Sequence, residues 1–127
     1  MNVPENLKYT ESHEWIRLEG DVAYIGITDY AQDSLGDIVY VEVPENGQSV
    51  SKGDEVVNIE SVKVAEAVYA PVSGIIKDVN GDLEDTPELI NKDAYGAFIY
   101  SITVSDTSEL DGYMDAAGYK ALVDAQD

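Results

Sequence analysis

The sequence predicts a mainly β protein, an all-β sandwich or barrel trimmed with short helices. Two observations support this fold class. Short runs of β-branched and aromatic residues recur along the chain, and turn-forming residues interrupt them roughly every eight to twelve positions. The chain has 127 residues, of which 44% are hydrophobic, so it can bury the core of a single domain. We therefore expect residues 1–127 to form one domain.

Six strands are predicted from these runs. They cover residues 24–27, 37–43, 55–60, 64–69, 74–79 and 97–104. In the third of them, strand alternation directs Val57 and Ile59 inward and Asn58 and Glu60 outward.

Four short helices are predicted between and after the strands. Their expected bounds are residues 29–35, about 87–91, 108–114 and 116–123. Thr28 is a suitable N-cap for the first helix, and Gly36 lies just past its end. Pro87 suits the first position of the second helix. The last two form a helical segment at the C-terminus, weakened by Gly112 and Gly118.

The charge of the chain argues against several classes of partner. There are 26 acidic and 7 basic residues, a net charge of −19. Such a field repels nucleic acids and anionic membrane surfaces. No apolar run approaches the roughly 18 residues of a membrane span, and residues 1–6 have no signal or transit character. A cytoplasmic protein is expected.

Motifs of common enzyme sites are not found in the sequence. Without cysteine the chain has no disulfide framework and no thiol nucleophile of its own. The single histidine, His13, cannot form the His/Cys cluster of a zinc site. We expect it to pack beside Trp15 or to bond to the backbone, and we predict no catalytic residue.

An acidic cluster near position 80 is also predicted to bind no metal. Its oxygen donors are Asp78, Asn80, Asp82, Glu84 and Asp85. A calcium loop needs glycine at its sixth position and an acidic residue at its twelfth, where this chain has leucines. A solvated acidic loop is predicted instead.

Lys63 is the most informative candidate among the six lysines. It lies between two predicted strands that must reverse within a few residues, so a turn over residues 61–64 would raise its amine at an apex. Val62-Lys63 lacks the Asn-Gly chemistry of the commonest two-residue hairpins, although a type I turn accepts it. From the residues alone, both a functional amine and an ordinary solvated lysine remain open.

Several ordered stretches resemble the H-protein family of the glycine cleavage system, which is related to lipoyl and biotinyl carrier domains. The stretches are Tyr9-Thr10-Glu11-Ser12-His13-Glu14-Trp15, Gly26-Ile27-Thr28-Asp29-Tyr30-Ala31-Gln32, Leu35-Gly36-Asp37-Ile38-Val39-Tyr40-Val41, Glu60-Ser61-Val62-Lys63, Tyr69-Ala70-Pro71-Val72-Ser73-Gly74, Glu88-Leu89-Ile90-Asn91 and Tyr95-Gly96. They cover nearly the whole chain. The resemblance implies a flattened barrel-sandwich hybrid of two antiparallel sheets, and a single lipoyl-carrier domain over residues 1–127.

The resemblance also implies a cofactor and partners. Lipoic acid would be joined to Lys63 as a covalent N6-lipoyl group, and its sulfurs would replace the missing cysteine. A pyridoxal-phosphate-dependent glycine decarboxylase would load the aminomethyl group, and a tetrahydrofolate-dependent aminomethyltransferase would remove it. Dihydrolipoyl dehydrogenase would reoxidise the dithiol, and a lipoate ligase or lipoyltransferase would attach the cofactor. The chain would be a non-catalytic carrier in glycine catabolism and one-carbon metabolism. Apart from the resemblance, a monomer is the simplest expectation.

In the family the loaded arm folds into a cleft, and Ser12 and Glu14 match positions associated with it. Many members have an acidic residue where this chain has Ala67, and Glu66 stands one place earlier. A shift of one residue on a strand reverses the face, so the sequence does not predict that Glu66 replaces that acid.

Other classes of protein are weighed against this one. A biotinyl carrier has methionines beside its lysine, whereas Val62 and Val64 flank Lys63. A lipoyl domain of a dehydrogenase acyltransferase has aspartate before the lysine and no terminal helices. A paralogue that relays lipoate to other proteins, or that serves as a plain interaction module, stays an alternative.

Overall fold

The computed structural model describes residues 2–126; Met1 and Asp127, at the ends of the predicted 1–127 domain, lie outside the described residues. Within this range nine strands and five short helical segments alternate along the chain. The strands are β1 Lys8–Tyr9, β2 Glu14–Glu19, β3 Val22–Ile27, β4 Ile38–Glu42, β5 Ser49–Val50, β6 Glu55–Ser61, β7 Ala65–Tyr69, β8 Gly74–Val79 and β9 Tyr100–Val104. The helices are α1 Asp29–Leu35, α2 Asp82–Asp85, α3 Leu89–Lys92, a 3-10 turn at Thr107–Leu110, and α4 Ala116–Gln126.

The strands form two antiparallel sheets. One has six strands in the order β1-β2-β3-β9-β8-β5, and the other has three in the order β4-β6-β7. The predicted mainly β fold, with two antiparallel sheets, short helices and a C-terminal helical segment, is confirmed. The three-stranded sheet contains the β6–β7 hairpin, whose turn includes Lys63.

All six predicted strands are present, and the alternation predicted for β6 is confirmed because Val57 and Ile59 are fully buried. Three strands were not predicted: β1, β2 and β5. β2 shows no clean alternation because both of its faces are covered. Ile16 faces the core between the sheets, whereas Trp15 faces a second cluster under α4.

The second cluster attaches the C-terminal helix to the six-stranded sheet. Its central contact stacks the rings of Tyr9 and Tyr119, whose centroids are 4.7 Å apart. Trp15 packs over Gly26, its cross-strand neighbour, and a Cβ at Gly26 would lie 2.5 Å from the indole. Glycine is therefore needed on β3 for this aromatic layer to form.

Three of the four predicted helices are confirmed as α1, α3 and α4 with small changes of bounds, whereas the helix predicted over residues 108–114 is wrong. α1 covers residues 29–35 as expected, and the Thr28 hydroxyl accepts the Ala31 N–H at 3.2 Å. The first C-terminal helix is a single 3-10 turn, and α4 extends to Gln126. The prediction of a solvated acidic loop near position 80 was wrong for α2. Leu83 is fully buried there, and its burial holds the helical turn against the core.

None of the helices in residues 2–126 has the length and apolar character needed to cross a membrane.

Candidate functional site

A tight hairpin raises Lys63 at the end of the three-stranded sheet. The Ser61 N–H donates to the Val64 carbonyl at 2.8 Å, which closes the last rung between β6 and β7. The Ser61 hydroxyl accepts the N–H groups of Lys63 and Val64 at 3.2 and 3.1 Å. A side chain thus supplies the acceptor that stabilises this turn. The predicted turn over residues 61–64 is confirmed, and Lys63 is exposed at its apex.

The segment that joins α1 to β4 braces the hairpin from one side. The Val62 N–H donates to the Asp37 carbonyl at 3.0 Å. Asn91, on α3, holds the same segment: its amide accepts the Ile38 N–H and donates to the Gly36 carbonyl, both at 2.9 Å. These bonds satisfy one backbone group of the turn and two of the segment beside it, so the segment that supports the turn is itself held in place.

The Lys63 side chain extends over Gly36, at the C-terminal end of α1. Gly36 has φ +77° and ψ −154°, a backbone conformation that is open essentially to glycine alone. This glycine therefore both ends α1 and leaves room for the stem of the lysine.

A cavity of about 230 Å³ opens beside the hairpin. Residues from α1, β7 and the loop before β2 form most of its wall. The lining residues are Ser12, His13, Glu14, Ile27, Tyr30, Ala31, Ser34, Leu35, Ile59, Val64, Glu66, Ala67 and Val68. The wall is mostly apolar, and its polar groups come from the loop before β2, from α1 and from β7. Val64 belongs both to this wall and to the Lys63 turn, so the cavity begins next to the lysine.

Glu14 is a buried carboxylate in the wall of this cavity, 2% exposed. Its Oε1 accepts the hydroxyls of Thr10 at 2.5 Å and Ser12 at 2.6 Å. The Tyr69 N–H points to the other oxygen, Oε2, at 3.4 Å. In residues 2–126 the sole ion pair joins Arg17 and Glu19, so no cationic side chain of that range neutralises Glu14. A buried carboxylate held by neutral donors keeps capacity to attract a cationic ligand.

Ser12 and Glu14, the two residues that the family resemblance associates with a cleft, are hydrogen-bonded to each other in the wall of this cavity. A second cavity, of about 330 Å³, lies on their other side and is lined further by Lys52, Pro71 and Tyr113. It does not reach the Lys63 hairpin. The smaller cavity is therefore the one that adjoins the lysine hairpin.

The expected difference of face between Glu66 and Ala67 is observed. Glu66 pairs with Ile59 across the hairpin, whereas Ala67 pairs with Asn58, so the two residues do face opposite sides of β7. The inward side is that of Ile59, and Glu66 shares it at the exposed end of the strand. Both Glu66 and Ala67 line the smaller cavity, which keeps an acidic group although position 67 has none.

His13 lies in the wall of the same cavity, and its predicted partner was wrong. Its Nδ1 is 2.7 Å from the Tyr119 hydroxyl, which is also 2.6 Å from the Thr28 hydroxyl. The Tyr30 ring packs against it, with centroids 4.8 Å apart. Burial lowers the pKa of His13, and the nearby carboxylates of Glu14 and Glu66 oppose this only in part.

These contacts include residues that sequence reasoning missed. Tyr119 and Asn91 act through contacts with segments far away in sequence, and no local pattern indicates such contacts. Gly36 was recognised as a helix terminator but not as the surface under Lys63. His13 has φ +71°, which is uncommon for a residue other than glycine. The hydrogen bond of its ring to Tyr119 depends on the tertiary structure and has no local sequence signal.

No group of three or more histidine, cysteine or acidic side chains within residues 2–126 is arranged to hold a metal ion.

A rigid β-sandwich that presents one lysine on a braced hairpin, next to a largely apolar cavity, has the arrangement of a carrier domain. Comparison with known proteins agrees with this class. The family model described as glycine cleavage H-protein matches residues 7–126. The chain therefore belongs to the glycine cleavage H-protein family.

Individual relatives are similar over their full length. The glycine cleavage system H protein of Shewanella loihica is 54% identical over 127 residues, covering 98% of each chain. That of Bacteroides fragilis is 50% identical, covering 98% of this chain and all of the relative. The crystal structure of a glycine cleavage system H protein from Mycobacterium marinum superimposes with a TM-score of 0.86 at 36% identity, covering 94% of this chain and 97% of that one.

Membership of this family establishes the role of the chain. It is the lipoyl carrier of the glycine cleavage system, a non-catalytic component that acts in glycine catabolism.

Proposed function

We propose that Lys63 is the residue that carries the lipoyl group, in amide linkage to its Nζ. The observation that carries the proposal is the hairpin itself: Lys63 is exposed at its apex, and the Ser61 hydroxyl fixes the backbone beneath it. An attaching enzyme needs such access to the amine. Acylation would remove the lysine charge and leave a long neutral tether.

The group fits the surroundings of Lys63. The stem of the lysine already extends over Gly36, and the cavity that begins at Val64 has a mostly apolar wall. When bound, the lipoyl group supplies the disulfide that accepts an aminomethyl group and is reduced by it.

We further propose that Ser12 and Glu14 serve the loaded arm. The Ser12 hydroxyl donates to Glu14, which holds the carboxylate in the cavity wall. A carboxylate near an aminomethyl nitrogen favours the charged ammonium form. Glu66, at the exposed end of the same wall, adds a second negative charge where the family pattern would have one at position 67.

The partners follow from the role of carrier. They are the pyridoxal-phosphate-dependent glycine decarboxylase, the tetrahydrofolate-dependent aminomethyltransferase and dihydrolipoyl dehydrogenase, with a lipoate ligase or lipoyltransferase for attachment. A tethered arm gives each enzyme a high local concentration of substrate, on the order of mM by analogy with short linkers. We propose that residues 1–127 act as one domain, as a monomer in the cytoplasm. A continuous core between the two sheets supports the single domain.

The test is the intact mass of the chain after exposure to lipoate ligase and lipoate. We expect one lipoyl group on the wild-type chain and on Lys77→Arg, a control at an exposed lysine of β8, and none on Lys63→Arg. Exchange of labelled bicarbonate into glycine with the decarboxylase should show the same pattern. Loading without exchange would indicate a lipoate relay, and loading of Lys63→Arg would refute the site.

A further inference from the structure

Four large apolar side chains, two on the Lys63 turn and two on the strand paired with β6 beside it, are exposed to solvent. Val62 and Val64 flank the lysine and are 66% and 48% exposed, and Val39 and Tyr40 of β4 are 54% and 46% exposed. We call these four residues the apolar collar. In a chain of net charge −19, such a concentration of exposed apolar surface calls for an explanation, because patches of this kind mark interaction sites.

A β-bulge creates half of the collar. Ile38 and Tyr40 pair with consecutive residues of β6, so Val39 is an extra residue on β4. In a regular strand Ile38 and Tyr40 would face the same side. The bulge instead lets Ile38 and Val41 both reach the core, while Val39 and Tyr40 both face outward. The bulge thus exposes Val39 and Tyr40, while Ile38 and Val41 on either side of them stay buried.

Acidic side chains surround the collar. Glu60 pairs with Tyr40 in the sheet, Asp37 accepts the Val62 N–H through its carbonyl, and Glu42 follows on the same outer face of β4; all three are exposed. A partner that covers the collar must bring its surface against these carboxylates. Charge complementarity therefore favours basic side chains around the area that meets the apolar residues.

We propose that the apolar collar is the docking surface for the enzyme that receives the lysine-borne arm, and that it fits a partner face with an apolar recess rimmed by arginine and lysine. This rests on the proposed function, because the partner must approach Lys63 for the arm to enter its site. A second copy of the chain fits less well, since pairing two collars would oppose Glu60 and its acidic neighbours to their own copies.

The test measures binding of the unmodified full-length chain to the pyridoxal-phosphate glycine decarboxylase from the same organism, by calorimetry. The variant Val39→Ser/Tyr40→Ser removes apolar surface without changing the lysine hairpin. We expect its Kd to rise about tenfold or more, the effect of losing central apolar anchors. Val62→Thr/Val64→Thr keeps the β-branched shape of the hairpin and should weaken binding in the same direction.

The matched control is Leu18→Ser/Ile75→Ser. These residues are 41% and 46% exposed and lie on β2 and β8 of the other sheet, so their loss should leave Kd within twofold of wild type. Wild-type Kd should rise with salt, and Glu42→Gln/Glu60→Gln should reduce that dependence.

Equal Kd values for the wild type and both collar variants would overturn the proposal, and so would a control that weakens binding equally. Binding that is insensitive to salt would refute the basic rim. A dimer in sedimentation at high concentration that Val39→Ser/Tyr40→Ser dissolves would assign the collar to self-association instead. Because the unmodified chain is used, these outcomes are distinct from a failure of lipoylation, which intact mass reports separately.

Discussion

The side chain of Lys63 lies directly over Gly36: a Cβ added to Gly36 would be 3.2 Å from Lys63 Cε and 3.6 Å from Nζ. The two residues are far apart in sequence but meet because the hairpin folds over the end of α1. A side chain at position 36 would require the end of the lysine stem to shift by a few tenths of an ångström, and it would also strain the backbone.

Gly36→Ala is therefore expected to have two effects. The backbone at φ +77° and ψ −154° should make the variant less stable by about 1–3 kcal/mol. The displaced lysine should also slow lipoylation, measured as the rate of mass increase with lipoate ligase. The control is Gly47→Ala, at φ +85° with no atom within 4 Å of the new Cβ. It should lose stability but be loaded at the wild-type rate. Equal rates for both variants would show that the contact with Gly36 is unimportant.

Ser61→Ala should loosen the turn. It removes the acceptor of the Lys63 and Val64 N–H groups, and we expect a loss of roughly 1 kcal/mol in the free energy of unfolding, measured with urea. Hydrogen exchange at these two amides should accelerate more than the global loss explains. Ser105→Ala, at an exposed serine after β9, serves as control and should change neither. Unchanged exchange in Ser61→Ala would mean that the hydroxyl does not hold the turn.

Tyr119→Phe should weaken the attachment of α4. The hydroxyl joins His13 to Thr28, and its loss leaves the buried Thr28 and the half-buried His13 without this bond. A cost of about 1–3 kcal/mol is expected, seen as a fall in Tm of several degrees. In Tyr24→Phe, which keeps the edge-to-face contact with Phe98, Tm should stay close to wild type. A Tm for Tyr119→Phe equal to that of Tyr24→Phe would contradict the role of the bridge.

His13 should make the fold sensitive to mild acid. Its folded pKa lies below the ordinary value of 6.5, chiefly through burial, so the folded state favours the neutral ring. The stability that this contributes is present above the unfolded pKa and is lost as pH falls below it towards the lowered folded pKa. His13→Asn removes the titration while accepting the positive φ of +71°.

The measurement is the free energy of unfolding from pH 7.5 to 5.5. Wild type should lose more stability over this range than His13→Asn, since the carboxylates of the two proteins are the same. Parallel curves for the two proteins would show that His13 is not held neutral by the fold.

Much of the architecture was readable in the sequence, because the signals involved are local. Thr28 and Gly36 mark the ends of α1 by capping and by a backbone that only glycine adopts, so its bounds were correct. Alternation in residues 55–60 identified the buried face of β6, and the need to reverse before the next strand located Lys63 at a turn.

The strands that escaped prediction are those whose burial depends on distant parts of the chain. β2 is covered on both faces, by the core and by α4, and so it lacks the period of two that reveals a half-buried strand. Similarly, the acidic segment at Asp82–Asp85 is helical because the Leu83 side chain is buried in the core.

The sequence by itself determined the fold class, the helix caps and the lysine at a reversal, since each depends on residues a few positions apart. Only the tertiary structure decided what surrounds that lysine. Gly36 lies under its stem, Glu66 shares a cavity wall with Glu14, and the bulge at Val39 exposes an apolar edge. These contacts join segments that are distant along the chain, and their geometry arises from how the sheets and helices pack together.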